Sequence, residues 1–246
     1  MLSVVIPAYN EEKRLPATLA ELRKRPVPGE CEIIVVDDGS TDGTATIAEK
    51  TCCRVIRQPV NSGKGAAVKA GVLAARGDLI LVTDADLATP LTELPKLLAA
   101  LETGADIAIG SRAAPGARVR RASLNRKAAG KIFVFLVRFL NGLKYGDTQC
   151  GFKLFKGEAA RAVFSSVDCR GYAYDVEALV LAGKMGFAVR EVGVSWEDRH
   201  GSKVKLLRDS LRMLKELLEI RKRFNESCSP VITGTSAPES APSSAS

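Results

Sequence analysis

Histidine is nearly missing from this chain. His200 is the only imidazole, and the six cysteines (Cys31, Cys52, Cys53, Cys150, Cys169 and Cys228) form no CxxC pair and no zinc spacing. Nothing therefore points to a Cys/His metal site, and a reduced, cytosolic compartment is expected. Aromatic residues make up only 5% of the sequence, with no RNP-like pattern and no zinc finger, so no nucleic-acid partner is expected despite a net charge of +8. No apolar run approaches the ~18 residues of a membrane span. Met1 leads directly into Val4-Val5-Ile6 without a basic segment, so no signal peptide is expected. The P-loop pattern GxxxxGK[ST] is also absent, which argues against an ATPase.

Acid is missing from one long stretch. Between residues 107 and 146 there is no Asp or Glu, while Arg112, Arg118, Arg120, Arg121, Arg126, Lys127, Lys131, Arg138 and Lys144 are all cationic. These nine charges account for the whole positive excess. Such a field favours phosphates, anionic lipid or nucleic acid over a merely solvated face.

What is present is a regular alternation. Residues 3–7, 32–36, 54–58, 79–83 and 106–110 read as strands, and residues 12–25, 42–51, 64–75 and 91–102 as helices, with Thr41 or Asp42 capping the second. Alternation of this kind predicts βαβ units and an α/β fold with a mostly parallel sheet flanked by helices. At 46% apolar content the chain can bury a sizeable core. Residues 124–143 read as a buried or interfacial helix. Residues 203–224 read as a long helix with Val204, Leu207, Leu211, Leu214 and Leu218 along one face. From residue 227 to 246 the Ser/Pro/Ala-rich composition predicts a disordered tail.

Three strand ends carry carboxylates. The first closes in Pro7-Ala8-Tyr9-Asn10-Glu11, the second in Asp37-Asp38-Gly39-Ser40-Thr41-Asp42, and the fourth in Asp84-Ala85-Asp86. Each taken singly reads equally as ordinary turn chemistry. Together they place carboxylates at the carboxyl edge of one parallel sheet, where α/β folds bind ligands. Two acids so close repel unless donors or a cation compensate, and a hard divalent ion shared with substrate phosphates fits this pair. Asn61-Ser62-Gly63-Lys64-Gly65 opens a helix with glycine backbone and a lysine, a plausible diphosphate contact. The mixture suits a sugar nucleotide.

In combination these four motifs resemble the family 2 glycosyltransferases of GT-A fold, over about residues 3 to 224. Within that family, Asp147-Thr148-Gln149-Cys150-Gly151-Phe152-Lys153-Leu154-Phe155 looks like the dolichyl-phosphate β-glucosyltransferase branch. Tyr174-Asp175-Val176-Glu177 and Trp196-x-x-x-x-Gly201-Ser202-Lys203 support the same branch. The resemblance implies a GT-A domain over residues 1–226 and Mg²⁺ or Mn²⁺ as cofactor. UDP-glucose is the favoured donor and a polyprenyl or dolichyl phosphate the acceptor. GDP-mannose as donor and a non-lipid hydroxyl as acceptor remain the alternatives. Pro7, Ala8, Tyr9, Glu11, Asp37, Asp38, Gly39, Lys64, Asp84 and Ala85 would bind the nucleotide sugar, with Asp37 and Asp38 on the nucleoside and Asp84 near the ribose or Lys64. Asp86 would hold the metal, Arg112 and Arg126 would meet the acceptor phosphate, and Lys203 would reach the diphosphate. Without the N-terminal anchor of the eukaryotic branch, the chain is expected to lie peripherally on the cytoplasmic face of a membrane, through its basic and apolar helices.

A phosphate monoester has a second pKa of about 6, so such an acceptor is already a dianion at neutral pH and needs little help from a base. Asp175 and Glu177 are therefore expected to shape the acceptor site or orient sugar hydroxyls rather than to abstract a proton. His200 and the cysteines are read as structural or incidental.

Overall fold

A computed structural model describes residues 1–24, 29–51, 53–120, 134–198 and 206–226. The alternation expected from the sequence is present: β1 (Leu2–Ala8), α1 (Leu15–Lys24), β2 (Cys31–Asp37), α2 (Thr44–Glu49), β3 (Arg54–Arg57), α3 (Lys64–Ala74), β4 (Leu79–Thr83), α4 (Leu94–Glu102) and β5 (Ile107–Ser111). There follow β6 (Arg118–Arg120), the helical residues 134–141 (α5), β7 (Phe152–Lys156), α6 (Gly157–Ser166), α7 (Tyr174–Lys184), β8 (Val189–Gly193), β9 (Ser195–Glu197) and α8 (Leu206–Glu226).

The main sheet runs β3-β2-β1-β4-β7-β5-β8, and β7 alone is reversed among the seven. Its central strands are apolar on both faces because helices cover both. Val4, Ile6, Val35, Leu81 and Leu154 pack with Leu15, Leu19, Leu97 and Leu101 of α1 and α4. Val5, Val36, Ile80, Ile109 and Phe155 pack on the opposite face with Val68, Val72, Val163 and Leu179 of α3, α6 and α7. Alternate residues of one strand thus feed separate cores, the period-2 consequence of the pleat.

Reversal of β7 is what builds the site. Its register pairs Phe152 with Thr83 and Lys156 with Leu79. The start of β7 therefore lies at the carboxyl end of β4, and residues 147–151 arrive beside Asp84. A second, two-stranded sheet joins β6 to β9. The Glu197 N–H donates to the Ala88 carbonyl (2.9 Å), which ties this ribbon to the loop after β4.

Several sequence-based boundaries shift. The helix expected from residue 12 starts at Leu15, since Arg14 and Leu15 both donate N–H groups to the Glu11 carbonyl in a preceding turn. The cap of α2 is Gly43, not Thr41 or Asp42, though the Asp42 carboxylate still receives the Thr44 N–H. On α8 the residues that dock are Leu217 and Ile220, which pack with Val137, Ala173 and Val176. Leu211 and Leu218, expected on the apolar stripe, are 71% and 48% exposed. Glu216 and Arg223 flank Leu217 and Ile220 and face the 168–173 turn, which sets which side of the helix turns inward. Phe135 and Phe139 of α5 are likewise 65% and 70% exposed, with stacked rings 6.1 Å apart. No helix among the described residues is long and apolar enough to cross a membrane. The expected tail, residues 227–246, lies outside the described residues.

Candidate active site

Asp84 and Asp86 sit where β4 ends, and each has its own partner. Lys64, the first residue of α3, pairs through Nζ with Asp84 Oδ1 at 2.6 Å. The Asp84 carboxylate lies over Gly151, where a Cβ would come within 1.9 Å of its Oδ2. Glycine at this point of the 147–155 segment is thus a steric requirement of the neighbouring strand. Asp86 accepts the Ala88 N–H at 3.0 Å and faces Arg14 Nη1 at 3.5 Å. Burial, together with the nearby Asp84 charge, raises its pKa, against the opposing pull of the Ala88 amide, Arg14 and Lys64.

Arg14 was not singled out from the sequence. Its guanidinium grips Glu11 with two bonds of 2.6 Å while facing Asp86, so it links the first strand end to the third. The signal was available in the i, i+3 spacing of Glu11 and Arg14 at a helix start. Pro7 and Ala8 lie in β1 in register with Val36 and Asp37, and Tyr9 is partly exposed just beyond. Asn10 takes a positive φ of 53° and locks the first strand end to the second, accepting the Thr41 N–H while its own N–H donates to Ser40 Oγ.

Asp37 and Asp38 separate in role. Asp37 receives the Ser40 N–H at 3.3 Å at the end of β2. Asp38 turns the other way, its two oxygens accepting the Ser62 and Gly63 N–H groups at 2.7 and 3.0 Å. Burial raises its pKa against these two amides. Its carboxylate is occupied in holding the loop before α3. Gly39 lies beneath this loop with φ at 69°, and a Cβ there would meet the Val60 carbonyl carbon at 2.5 Å. The glycine backbone of the 61–65 motif, read from the sequence as a diphosphate contact, is also engaged. Gly65 and Ala66 donate to the Arg170 carbonyl at 2.8 and 3.3 Å. Lys64 directs its side chain to the Asp84 carboxylate, while the Asn61 side chain donates to the Asp38 carbonyl.

Across the edge, Arg112 follows β5 and is held by Asp147. Nε and Nη2 reach the two carboxylate oxygens at 2.6 and 2.9 Å, and the Arg112 backbone N–H adds a third bond at 3.0 Å. The guanidinium lies over the Trp196 ring, 5.3 Å from its centroid. Burial would raise the Asp147 carboxyl and lower the arginine, but the pair more than offsets both, leaving Asp147 below and Arg112 above its ordinary value. Glu191 of β8 fixes the loop by accepting the Gly146 and Asp147 N–H groups. Arg126, Lys203 and His200 lie outside the described residues.

Asp175 and Glu177 each have a cationic partner. Asp175 is buried against Lys153 at 2.6 Å. Glu177 is buried too, accepting the Asp168 and Cys169 N–H groups and pairing with Arg223. Burial pushes the Cys150 thiol up to about 11 and the Cys169 thiol up to about 12, so neither is a thiolate near neutrality.

The family model for glycosyl transferase family 2 matches residues 3–164. The chain belongs to glycosyl transferase family 2. It is 41% identical, over 91% of its length and 75% of theirs, to the dolichyl-phosphate beta-glucosyltransferases of Mus musculus and Homo sapiens. To the enzyme of that name from Saccharomyces cerevisiae it is 36% identical over the same shares. Among solved structures it resembles glucosyl-3-phosphoglycerate synthase from Mycobacterium tuberculosis in complex with Mn²⁺, UDP-glucose and phosphoglyceric acid. The TM-score is 0.70 at 25% identity, covering 90% of this chain and 80% of that one. Mannosyl-3-phosphoglycerate synthase from Rubrobacter xylanophilus shares the fold, with a TM-score of 0.66.

For a family 2 glycosyltransferase the donor set bears on metal binding. Among the described residues no three His, Cys, Asp or Glu side chains converge on one point. Asp86 is a half-buried carboxylate in a field that disfavours its charge, and oxygen is its only ligand atom. A hard divalent ion completed by substrate oxygens suits this arrangement, and a closed protein cage does not.

Proposed function

We propose that this glycosyltransferase moves glucose from UDP-glucose to a polyprenyl phosphate of the dolichyl type, with inversion at the anomeric carbon. One observation carries the substrates: the 41% identity, across nine-tenths of the chain, to enzymes named for that reaction. An acceptor phosphate oxygen forms the new bond to the anomeric carbon as the bond to the UDP β-phosphate oxygen breaks, and UDP leaves with the electron pair. The product is the β-linked lipid-phosphate sugar.

Two anions must lie side by side for this to happen. Arg112, held in place by Asp147 and Trp196, is assigned to the acceptor phosphate, for which its remaining N–H groups are suited. Arg126 is assigned there with it, and Lys203 to the diphosphate. Asp37, with Pro7, Ala8, Tyr9, Glu11, Gly39 and Ala85 around it, is assigned to the nucleoside side. Asp38 serves that side through the loop it holds. Lys64 and Asp84 fix each other beside the diphosphate. Mg²⁺ or Mn²⁺ held by Asp86 would neutralise the leaving diphosphate. No protein base is needed because the acceptor is already a dianion. The partners of Asp175 and Glu177 agree with that, since each carboxylate is already paired, Asp175 with Lys153 and Glu177 with Arg223.

A membrane surface is the place for such an acceptor. The exposed Phe135, Phe139, Leu211 and Leu218, with the exposed Arg138 beside them on α5, fit an anionic interface, on the cytoplasmic side by the sequence-based expectation.

The test is transfer of radiolabelled sugar into the organic phase with a short polyprenyl phosphate and Mg²⁺ or Mn²⁺. UDP-glucose should support transfer at least tenfold better than GDP-mannose, and Asp86→Asn should abolish it while the fold is retained. Preference for GDP-mannose, or undiminished turnover in Asp86→Asn, refutes the assignment.

A further inference from the structure

The 168–173 turn is clasped from two sides. On one side the Arg170 carbonyl receives the Gly65 and Ala66 N–H groups, at 2.8 and 3.3 Å. The approach is so close that a Cβ on Gly63 would stand 2.3 Å from that carbonyl, and a Cβ on Gly65 the same distance from the Cys169 carbonyl. On the other side stands α8. Glu216 Oε2 accepts the Ala173 N–H at 3.0 Å, and its Oε1 lies where a Gly171 side chain would begin, 1.8 Å from an added Cβ. Arg212 steadies that carboxylate at 3.2 Å. Arg223 pairs with Asp168 at 2.8 Å and with Glu177, whose carboxylate receives the Asp168 and Cys169 N–H groups.

These contacts run in an unbroken series from α8 through the turn to the amide end of α3, whose first residue, Lys64, holds Asp84. We propose that Glu216, more than 40 residues away in sequence from the turn it holds, is a positioning residue of the donor site. It sets the Arg170 carbonyl and thereby the seat of Lys64. This rests on the assignment of Lys64 and Asp84 to the nucleotide. Helix α8 is then a working part of the donor site as well as a membrane-facing element. Whatever moves α8 at the bilayer is felt at Lys64 through fixed polar contacts, two of which involve a carboxylate that glycine alone leaves room for.

UDP binding by calorimetry with Mn²⁺, donor and acceptor KM, and hydrogen exchange of the peptide holding Gly65 and Ala66 test this in the full chain. Glu216→Ala should weaken UDP binding and raise the donor KM about five- to tenfold, as loss of a charge-assisted bond to a buried amide implies. Acceptor KM should hold, and exchange at residues 65–66 should accelerate. Glu216→Gln keeps an acceptor oxygen for the Ala173 amide and should restore most of the affinity. If Glu216→Ala does not fold, Glu216→Asp carries the test, being charged but too short to reach the amide. Glu219→Ala on the solvent side of α8 should change nothing. Unchanged UDP affinity and unchanged exchange in Glu216→Ala or Glu216→Asp overturn the proposal. Equal rises in donor and acceptor KM overturn it too, since they indicate a general structural loss. If wild-type protein binds no UDP, the donor-site assignment itself falls, and the proposal with it.

Discussion

Replacing Gly151 by alanine should disable the donor side of the site through a single methyl group. The added carbon would stand 1.9 Å from Asp84 Oδ2, 2.3 Å from its carboxyl carbon and 2.6 Å from Oδ1. Ordinary contact begins near 3.4 Å, so the carboxylate must retreat by about 1.5 Å. The backbone cannot yield easily, because Phe152 is already in register with Thr83 between two strands. Retreat breaks the 2.6 Å bond to Lys64, leaving an ammonium without its counter-charge. Both side chains are partly exposed, which screens the pair, so the stability loss should be about 1–3 kcal/mol. In a chain of this size that lowers the Tm by roughly 2–10 °C. Catalysis should suffer more, since a displacement of about 1 Å in a site commonly costs on the order of 100-fold. Thermal denaturation and kcat/KM for transfer from UDP-glucose to a short polyprenyl phosphate measure the two. Wild-type kcat/KM in folded Gly151→Ala protein would show that the position of Asp84 does not matter.

Asp147 carries a pKa depressed by Arg112 despite its burial. A depressed acid adds stability that is present above its unfolded value of about 3.9 and is lost as pH falls through the lower folded value. Urea midpoints measured from pH 6 down to pH 3 should fall less steeply in Asp147→Asn than in wild type, and identical slopes would remove Asp147 from the acid transition. The same variant should raise the KM for the lipid phosphate more than that for UDP-glucose, because Arg112 loses its brace. Phe135→Ser with Phe139→Ser should cut partitioning onto anionic vesicles several-fold in a sedimentation assay while leaving UDP affinity intact. Equal partitioning would assign those rings to something other than lipid.

The first half of the fold was open to reading because β1, β2 and β4 are buried on both faces and so appear as short unbroken apolar runs. Strand β7 gave no such sign. Its FKLFK sequence carries lysines at both polar positions, and Lys153 is buried only because Asp175 meets it from α7. Adjacent Asp37 and Asp38 look equivalent in one dimension, whereas the pleat sends them to different tasks. The glycine-flanked lysine motif suggested a diphosphate contact, and a carbonyl contributed from over a hundred residues away occupies its Gly65 amide. What stayed hidden was in each case a partner distant in sequence: Arg14 for Asp86, Asp147 for Arg112 and Glu216 for the turn at Gly171.

The reversed strand has an architectural consequence. Because β5 ends and β7 begins at the same edge, the chain leaves the sheet after Ser111 and rejoins it at Phe152 at a neighbouring point. The residues assigned to the donor, on β1, β2, β4 and α3, meet the intervening segment at Gly151, which lies under the Asp84 carboxylate. Arg112 and Asp147 pair across its base at 2.6 Å. Grafting the corresponding segment of another family member between those two residues, with Gly151 kept, therefore tests whether this part of the chain selects the acceptor.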